Sequence, residues 1–235
     1  MKNIKVGASV ICMNPLNIEQ DIVLCEKSGV DYFHLDIMDG SYVPRFGLYP
    51  EIVKEMSKVT GLRFDLHLMV EDLQFALDQF LPCDNINLVS FHLEGNEGNL
   101  YKIVDEIKSY DVSVGIVVNL TTSLDHVAQI INDSEIDSIM FMGIHPGVLI
   151  QEHRPLQVLR NIENLVNRVS LPLSVQCDGA VNFDTISDFI TSGINSFVCG
   201  SSTLFKNVDL VNDPDEKELL ISQNMEKIRS ITHGI

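Results

Sequence analysis

Ser28-Gly29-Val30-Asp31-Tyr32-Phe33-His34-Leu35-Asp36-Ile37-Met38 holds the joint that repeats along this chain. Ahead of it, Ile18, Ile22 and Cys25 recur at helical spacing, and Gly29 reads as the helix C-cap. Behind it, residues 31–38 read as a buried strand. A helix that stops on glycine and passes directly into a strand is the αβ joint of a βαβ unit. The same joint recurs at Thr60-Gly61-Leu62 and at Ser192-Gly193-Ile194. Working outward, strands are predicted at 4–12, 31–38, 62–69, 86–91, 112–118, 138–142, 173–177 and 196–199, each followed by a helical pattern. In one of these, Leu156, Leu159, Ile162 and Val166 recur before Pro172. Eight βα units in 235 residues match an α/β fold, the (β/α)8 TIM barrel, which takes about 250 residues. No linker or low-complexity stretch divides the chain, so residues 1–235 are expected to form a single domain. A doubly wound open sheet is the competing architecture, but the first βα turn has no G-x-G-x-x-G pattern.

Composition narrows the function classes. With 45% hydrophobic and 21% charged residues, the chain can bury one sizeable core and is not disordered. Acidic residues outnumber basic ones 33 to 16, a formal net charge of -17 that repels nucleic acid and anionic membrane surfaces. An anionic small substrate therefore needs a locally positive pocket. No apolar run approaches the roughly 20 residues that span a bilayer, and the N-terminal Met-Lys-Asn-Ile-Lys has no signal pattern, so a cytoplasmic location is expected. Cys12, Cys25, Cys83, Cys177 and Cys199 are scattered, odd in number and free of CxxC spacing, and are expected to be reduced core thiols.

In a (β/α)8 barrel the chemistry sits at the C-terminal ends of the strands. The second strand ends on His34-Leu35-Asp36, and i, i+2 spacing turns both polar side chains to one face. The third ends on Asp65-Leu66-His67 and the seventh on Cys177-Asp178-Gly179. Two histidines and up to three carboxylates on one rim are costly to bury unless a cation neutralises them. His and Asp ligands together suit zinc, iron, manganese or cobalt better than magnesium. His92 and Glu94, after the fourth strand, have the same character, so spacing alone leaves open which histidines are ligands.

A second group follows strands seven and eight: Asp178-Gly179-Ala180 with Asn182, and Cys199-Gly200-Ser201-Ser202. Small residues leading into a helix N-terminus offer backbone N–H groups to an anion, the usual phosphate seat of a barrel. Gly147, in His145-Pro146-Gly147 after the sixth strand, adds a third contact, and residues 143–155 have the length of an active-site loop. Met38, Met69 and Met142 at three strand ends offer an apolar, polarizable floor that excludes water from a carbanion.

His34-Leu35-Asp36-Ile37-Met38-Asp39-Gly40-Ser41-Tyr42-Val43-Pro44 resembles a signature of the ribulose-phosphate 3-epimerases, and Asp65-Leu66-His67-Leu68-Met69-Val70 resembles their second signature. The likeness extends through Ala8-Ser9, Ser90-Phe91-His92-Leu93-Glu94, Pro146-Gly147, Asp178-Gly179 and Gly200-Ser201. It implies a metal-dependent enzyme that inverts carbon 3 of ribulose 5-phosphate, or of allulose 6-phosphate. By resemblance, one divalent ion sits on His34, Asp36, His67 and Asp178, leaving His92 as a neighbour. Asp36 and Asp178 are then the acid/base pair, Ser9 and His67 touch the sugar, and Gly147, Gly179, Gly200 and Ser201 hold the phosphate. The partner expected is a small phosphorylated ketose, with no nucleic acid and no membrane, and barrels of this kind also associate into homo-oligomers through their helices.

The chain departs from the family pattern in places. Where the family carries Asn-Pro-Gly-Phe-Gly-Gly-Gln, this sequence reads His145-Pro146-Gly147-Val148-Leu149-Ile150-Gln151, short of two glycines near the phosphate, with Arg154 as a candidate charged replacement. Pro44-Arg45 stands for Pro-Asn, and Ala180 for the second glycine of Asp-Gly-Gly. Val10-Ile11-Cys12-Met13 and Ser202-Thr203-Leu204-Phe205 look closer to the allulose-6-phosphate branch. The rival readings are a sugar-phosphate-binding barrel without turnover and a hydrolase using a metal-bound water. The Asp-x-Lys-x-x-Asp segment of related decarboxylase and aldolase barrels does not occur.

Overall fold

The structure is a computed structural model that describes residues 4–147, 155–169 and 174–233. Eight strands and eight helices alternate. They are β1 Lys5–Ser9, α1 Ile18–Ser28, β2 Tyr32–Met38, α2 Pro50–Val59, β3 Arg63–Met69, α3 Leu73–Phe80, β4 Ile86–His92, α4 Leu100–Lys108, β5 Ser113–Val118, α5 Leu124–Asp133, β6 Ser138–Met142, α6 Pro155–Val166, β7 Ser174–Asp178, α7 Ile186–Ser192, β8 Ser196–Cys199 and α8 Pro214–His233. All strand pairs are parallel and β8 pairs back onto β1, closing the ring in sequence order. This is the (β/α)8 barrel that the βα repeat calls for.

Strand periodicity divides each strand between two environments. On β2, Phe33, Leu35 and Ile37 belong to the large apolar core that packs strands against helices, with Phe33 edge-on to Phe64 at 6.3 Å. Tyr32, His34, Asp36 and Met38 alternate with them and face into the ring. Gly7 sits beside Tyr32 because a Cβ there would lie 2.3 Å from the tyrosine ring, so a bare backbone makes room for an interior aromatic. Tyr32 Oη in turn meets Ser196 Oγ at 2.9 Å, tying β2 to β8 across the interior.

Three local expectations change. The first strand ends at Ser9, not Cys12: Val10–Cys12 is a 3₁₀ turn closed by Met13 N–H donating to Val10 O at 3.0 Å. Gly29 and Gly193 are left-handed C-caps, with φ of 88° and 119°, but at the α2 joint the chain leaves through an extended Thr60. There the Thr60 N–H closes the helix by donating to Met56 O at 3.3 Å, while its hydroxyl donates to Glu26 Oε2 at 2.7 Å and accepts from Leu62 N–H at 3.1 Å. On α6 the core face is Val158, Ile162 and Leu165, while Leu156 is 70% exposed and Val166 43%. Two apolar stripes of helical spacing lie side by side on that helix, and spacing alone does not tell which one meets the barrel. Among the described residues no helix is long and apolar enough to cross a membrane.

Candidate active site

Parallel register sets the level of each functional side chain. Asp36 of β2 is paired with His67 of β3, Ser9 of β1 with His34, and Met142 of β6 with Asp178 of β7. As a result His34, Asp36, His67 and Asp178 converge, with one ligand-capable atom from each lying within 4.8 Å of the others. His67 Nδ1 is 3.2 Å from Asp36 Oδ1 and 3.7 Å from Asp178 Oδ2, and Ser9 Oγ donates to Asp36 Oδ2 at 3.4 Å. His34 is wholly buried, yet neither ring nitrogen makes a hydrogen bond: Nε2 lies 3.4 Å from Asp36 Oδ1, too poorly aligned to count as one.

Asp65, the third carboxylate expected on this rim, does not join the cluster. It pairs with His34, one pleat below Asp36, and accepts from Gln176 Nε2 at 3.1 Å and Asn87 Nδ2 at 3.5 Å. The register places it in the lower layer of the barrel, where neutral amides satisfy it. His92 does reach the cluster's edge, stacked on His67 with centroids 5.1 Å apart and 27° between planes. Glu94 accepts from Thr122 Oγ1 through one oxygen, and the other lies 3.9 Å from His92 Nδ1.

Electrostatics separate the two carboxylates that the cluster brings together. Burial works against ionising Asp36, but His34 and His67 beside it outweigh burial and hold its carboxyl well below the ordinary value. Burial and the neighbouring charge of Asp36 push Asp178 up. Burial alone would lower His34; Asp36, Asp178 and Asp65 together overcome it and raise the imidazole to about 9. His92, with burial and His67 against its charged form, is driven down to about 2 and is neutral.

The donor set fits a divalent ion. A fully buried imidazole with both nitrogens lacking hydrogen bonds, grouped with a second imidazole and two carboxylates, is what zinc, iron, manganese or cobalt would use. The residues expected to carry the metal are therefore brought together.

In front of the cluster opens a cavity of about 240 Å³. Ser9, Asp36 and Asp178 form its chemical end, and Met38, Met69 and Met142 line it as apolar surface. Gly147, Gly179, Gly200 and Ser201, the residues that the resemblance implies for a phosphate, border it too. Of the two residues expected to touch the sugar, Ser9 borders the cavity, whereas His67 is completely buried and does not line it. The loops at the seat are not built as expected throughout: Gly200-Ser201 enters a turn closed by Thr203 and Phe205 N–H donating to Gly200 O, each at 3.1 Å, and no helix begins there. Gly179 and Ala180 both lie in the left-handed region, with φ of 77° and 56°, so Ala180 occupies a conformation that glycine takes without strain.

Two of the lining residues that sequence reasoning missed carry reactive or charged side chains. Arg45 is half-buried and is the basic side chain among the described residues around the cavity. Cys12 is carried to the wall by the 3₁₀ turn after β1, so it is not a core thiol like the other four. Residues 148–154, including Arg154 and the stretch from Val148 to Gln151, lie outside the described residues.

Residues 5–205 match the model of the ribulose-phosphate 3 epimerase family. The chain belongs to that family. It is an enzyme, an isomerase of the epimerase kind. Among curated relatives, it is 27% identical over 206 residues to the ribulose-phosphate 3-epimerase of Methanocaldococcus jannaschii, covering 87% of this chain and 86% of the relative. To the ribulose-phosphate 3-epimerase of Bacillus subtilis it is 29% identical over 202 residues, covering 85% and 91%. Among solved structures, a mutant tryptophan synthase α-subunit from Pyrococcus furiosus superposes with a TM-score of 0.71 over 97% of this chain and 98% of that one, at 12% identity. That likeness concerns the barrel alone.

Proposed function

We propose that this epimerase inverts carbon 3 of a phosphorylated ketose, interconverting ribulose 5-phosphate and xylulose 5-phosphate by proton transfer between two carboxylates. The carrying observation is the pair Asp36 and Asp178. They come from β2 and β7, border one cavity, and are driven in opposite directions by their surroundings. Two carboxyl groups pushed apart in this way divide into a base and an acid.

His34, Asp36, His67 and Asp178 would hold one divalent ion, zinc, iron, manganese or cobalt, and such an ion supplies Lewis acidity that offsets the charge developing when a proton beside a carbonyl is removed. Asp36, kept ionised, is suited to take the carbon 3 proton. Asp178, kept protonated more readily, is suited to deliver one to the opposite face, and the roles exchange in the reverse direction. Ser9 orients Asp36 by its hydrogen bond to Oδ2. Met38, Met69 and Met142 keep water from the carbanion-like centre without offering it a proton. For the phosphate, Gly147, Gly179, Gly200 and Ser201 would supply close backbone approach. Arg45 contributes positive charge at the cavity of a chain whose net charge is -17.

The test is proton NMR in deuterium oxide of the metal-loaded protein with ribulose 5-phosphate and, separately, allulose 6-phosphate. Loss of the carbon 3 proton together with the appearance of the epimer is expected, and the faster sugar names the substrate. Absence of exchange with either sugar, across the four metals, would leave a sugar-phosphate-binding barrel in its place.

A further inference from the structure

A histidine that ligates a metal through one ring nitrogen needs a partner on the other, because that partner fixes both the tautomer and the plane of the ring. For His67 the nitrogen that faces the carboxylates is Nδ1. Its Nε2 faces neither a carboxylate nor a backbone carbonyl but the Nε2 of His92, 3.0 Å away. Two neutral imidazoles share such a contact only when one donates and the other accepts. If Nδ1 of His67 offers its lone pair to a cation, Nε2 carries the hydrogen and His92 Nε2 must accept it. His92 then bears its own hydrogen on Nδ1 and needs an acceptor there.

Asn119 is the group within hydrogen-bond distance there, its side-chain amide 3.2 Å from His92 Nδ1, while Glu94 Oε2 stands farther off at 3.9 Å. The Asn119 carbonyl oxygen is buried and has no hydrogen-bond partner. Half a turn of the amide brings this oxygen to His92 and supplies its missing donor. The surroundings hold both groups in place. Asn119 N–H donates to Thr122 Oγ1 at 2.9 Å, Asn96 Nδ2 donates to the His92 carbonyl at 3.0 Å, and the Tyr42 ring lies 5.1 Å from the His92 ring. His92 itself is 1% exposed.

We propose that His92 and Asn119 are positioning residues of the metal centre, a relay that holds His67 in the tautomer whose Nδ1 is free to bind. The proposal rests on the reading of His67 as a ligand. Neither residue lines the cavity in front of Asp36 and Asp178, so neither touches the reacting carbon.

The test is the dissociation constant for zinc, measured by competition with a chromophoric chelator, on the wild-type chain and on His92→Phe, His92→Gln and Asn119→Leu. His92→Phe preserves the ring stack and removes the acceptor, so it should weaken zinc binding by about 10- to 100-fold. His92→Gln, whose side-chain carbonyl can accept from His67, should recover part of that loss. Asn119→Leu should weaken binding by a smaller factor, and turnover of each variant should return along its own metal-binding curve as zinc is added. The visible spectrum of the cobalt-loaded chains should change with His92→Phe, since the ring it reports on is no longer held. Zinc binding by folded His92→Phe within about threefold of wild type would overturn the proposal. Should that variant fail to fold, wild-type affinity in Asn119→Leu would overturn it instead. Failure of the wild-type chain to bind zinc or cobalt at all would sink the ligand reading itself, a result seen before any variant is compared.

Discussion

Replacing Gly47 by alanine tests how tightly the rim loop after β2 is seated on the acid/base machinery. Residues 39–49 fold back over the end of β2, where Gly47 N–H donates to Met38 O and Leu48 N–H to Asp36 O, each at 3.0 Å. A Cβ on Gly47 would lie 2.3 Å from the Asp36 carbonyl oxygen and 2.7 Å from Met38 N, against the 3.4 Å at which ordinary contact begins, so roughly 1 Å of movement is forced. Both obstacles are backbone and cannot swing aside. If the strand yields, Asp36 moves by that amount, and a displacement of about 1 Å costs on the order of 100-fold in turnover. If the loop yields, two hydrogen bonds are lost, about 1–3 kcal/mol in all, which lowers the midpoint of melting by roughly 2–4 °C per kcal/mol in a chain of this size. The assay is carbon 3 exchange at saturating metal alongside a thermal melt. Gly61→Ala is the control, since nothing lies within 4 Å of a Cβ there. Turnover within twofold of wild type together with an unchanged melt would refute the reasoning.

Asp36→Asn and Asp178→Asn should each lower epimerisation by at least 100- to 10,000-fold, the worth of a general acid or base, while circular dichroism stays that of the wild type; turnover near the wild-type rate in either would end the two-carboxylate reading. Arg45→Ala should raise KM for the phosphorylated ketose by about 10- to 100-fold, the scale of a hydrogen bond to a charged group, and weaken inhibition by inorganic phosphate in parallel. Arg45→Lys should keep part of the effect, and an unchanged phosphate inhibition constant would remove Arg45 from the seat. Cys12 should alkylate slowly, because burial first, with Asp36 and Asp178 adding to it, raises its thiol above 9.0 and lowers the thiolate fraction at every lower pH. Labelling by iodoacetamide, followed by mass spectrometry, should therefore still be rising at pH 9, and a plateau below pH 9 would contradict the shift.

The barrel was legible because its period is local. Each βα joint announces itself within a few residues, and seven of the eight strand ends lie within one residue of their predicted positions. The ends matter most, since they carry His34, Asp36, His67 and Asp178 to one level. What sequence left open depends on geometry between elements. Asp65 and Asp178 look alike in a linear reading, and only register shows that one sits a pleat below the cluster while the other meets it. On α6 the spacing names Leu159 and Ile162, which meet the core, together with Leu156 and Val166, which do not, and only packing against the sheet tells them apart. Arg45 and Cys12 reach the cavity through turns whose path no periodicity describes. The His67–His92–Asn119 chain joins residues from β3, β4 and the loop after β5, which come into contact only when the ring closes.

The closed ring also separates what the enzyme does from what it does it to. Every carboxylate and imidazole of the cluster is on a strand, and each of those strands is hydrogen-bonded to a neighbouring strand on both sides. Gly147, Gly200, Ser201 and Arg45 stand on the connections above. If these residues hold the sugar phosphate as proposed, substitutions at them, away from the Gly47 seat on Asp36, should alter the length of sugar accepted while leaving the proton-transfer apparatus as it is. A lineage built on this plan can change its diet without relearning its chemistry, and a library confined to the rim is the economical way to ask which sugars it can be taught.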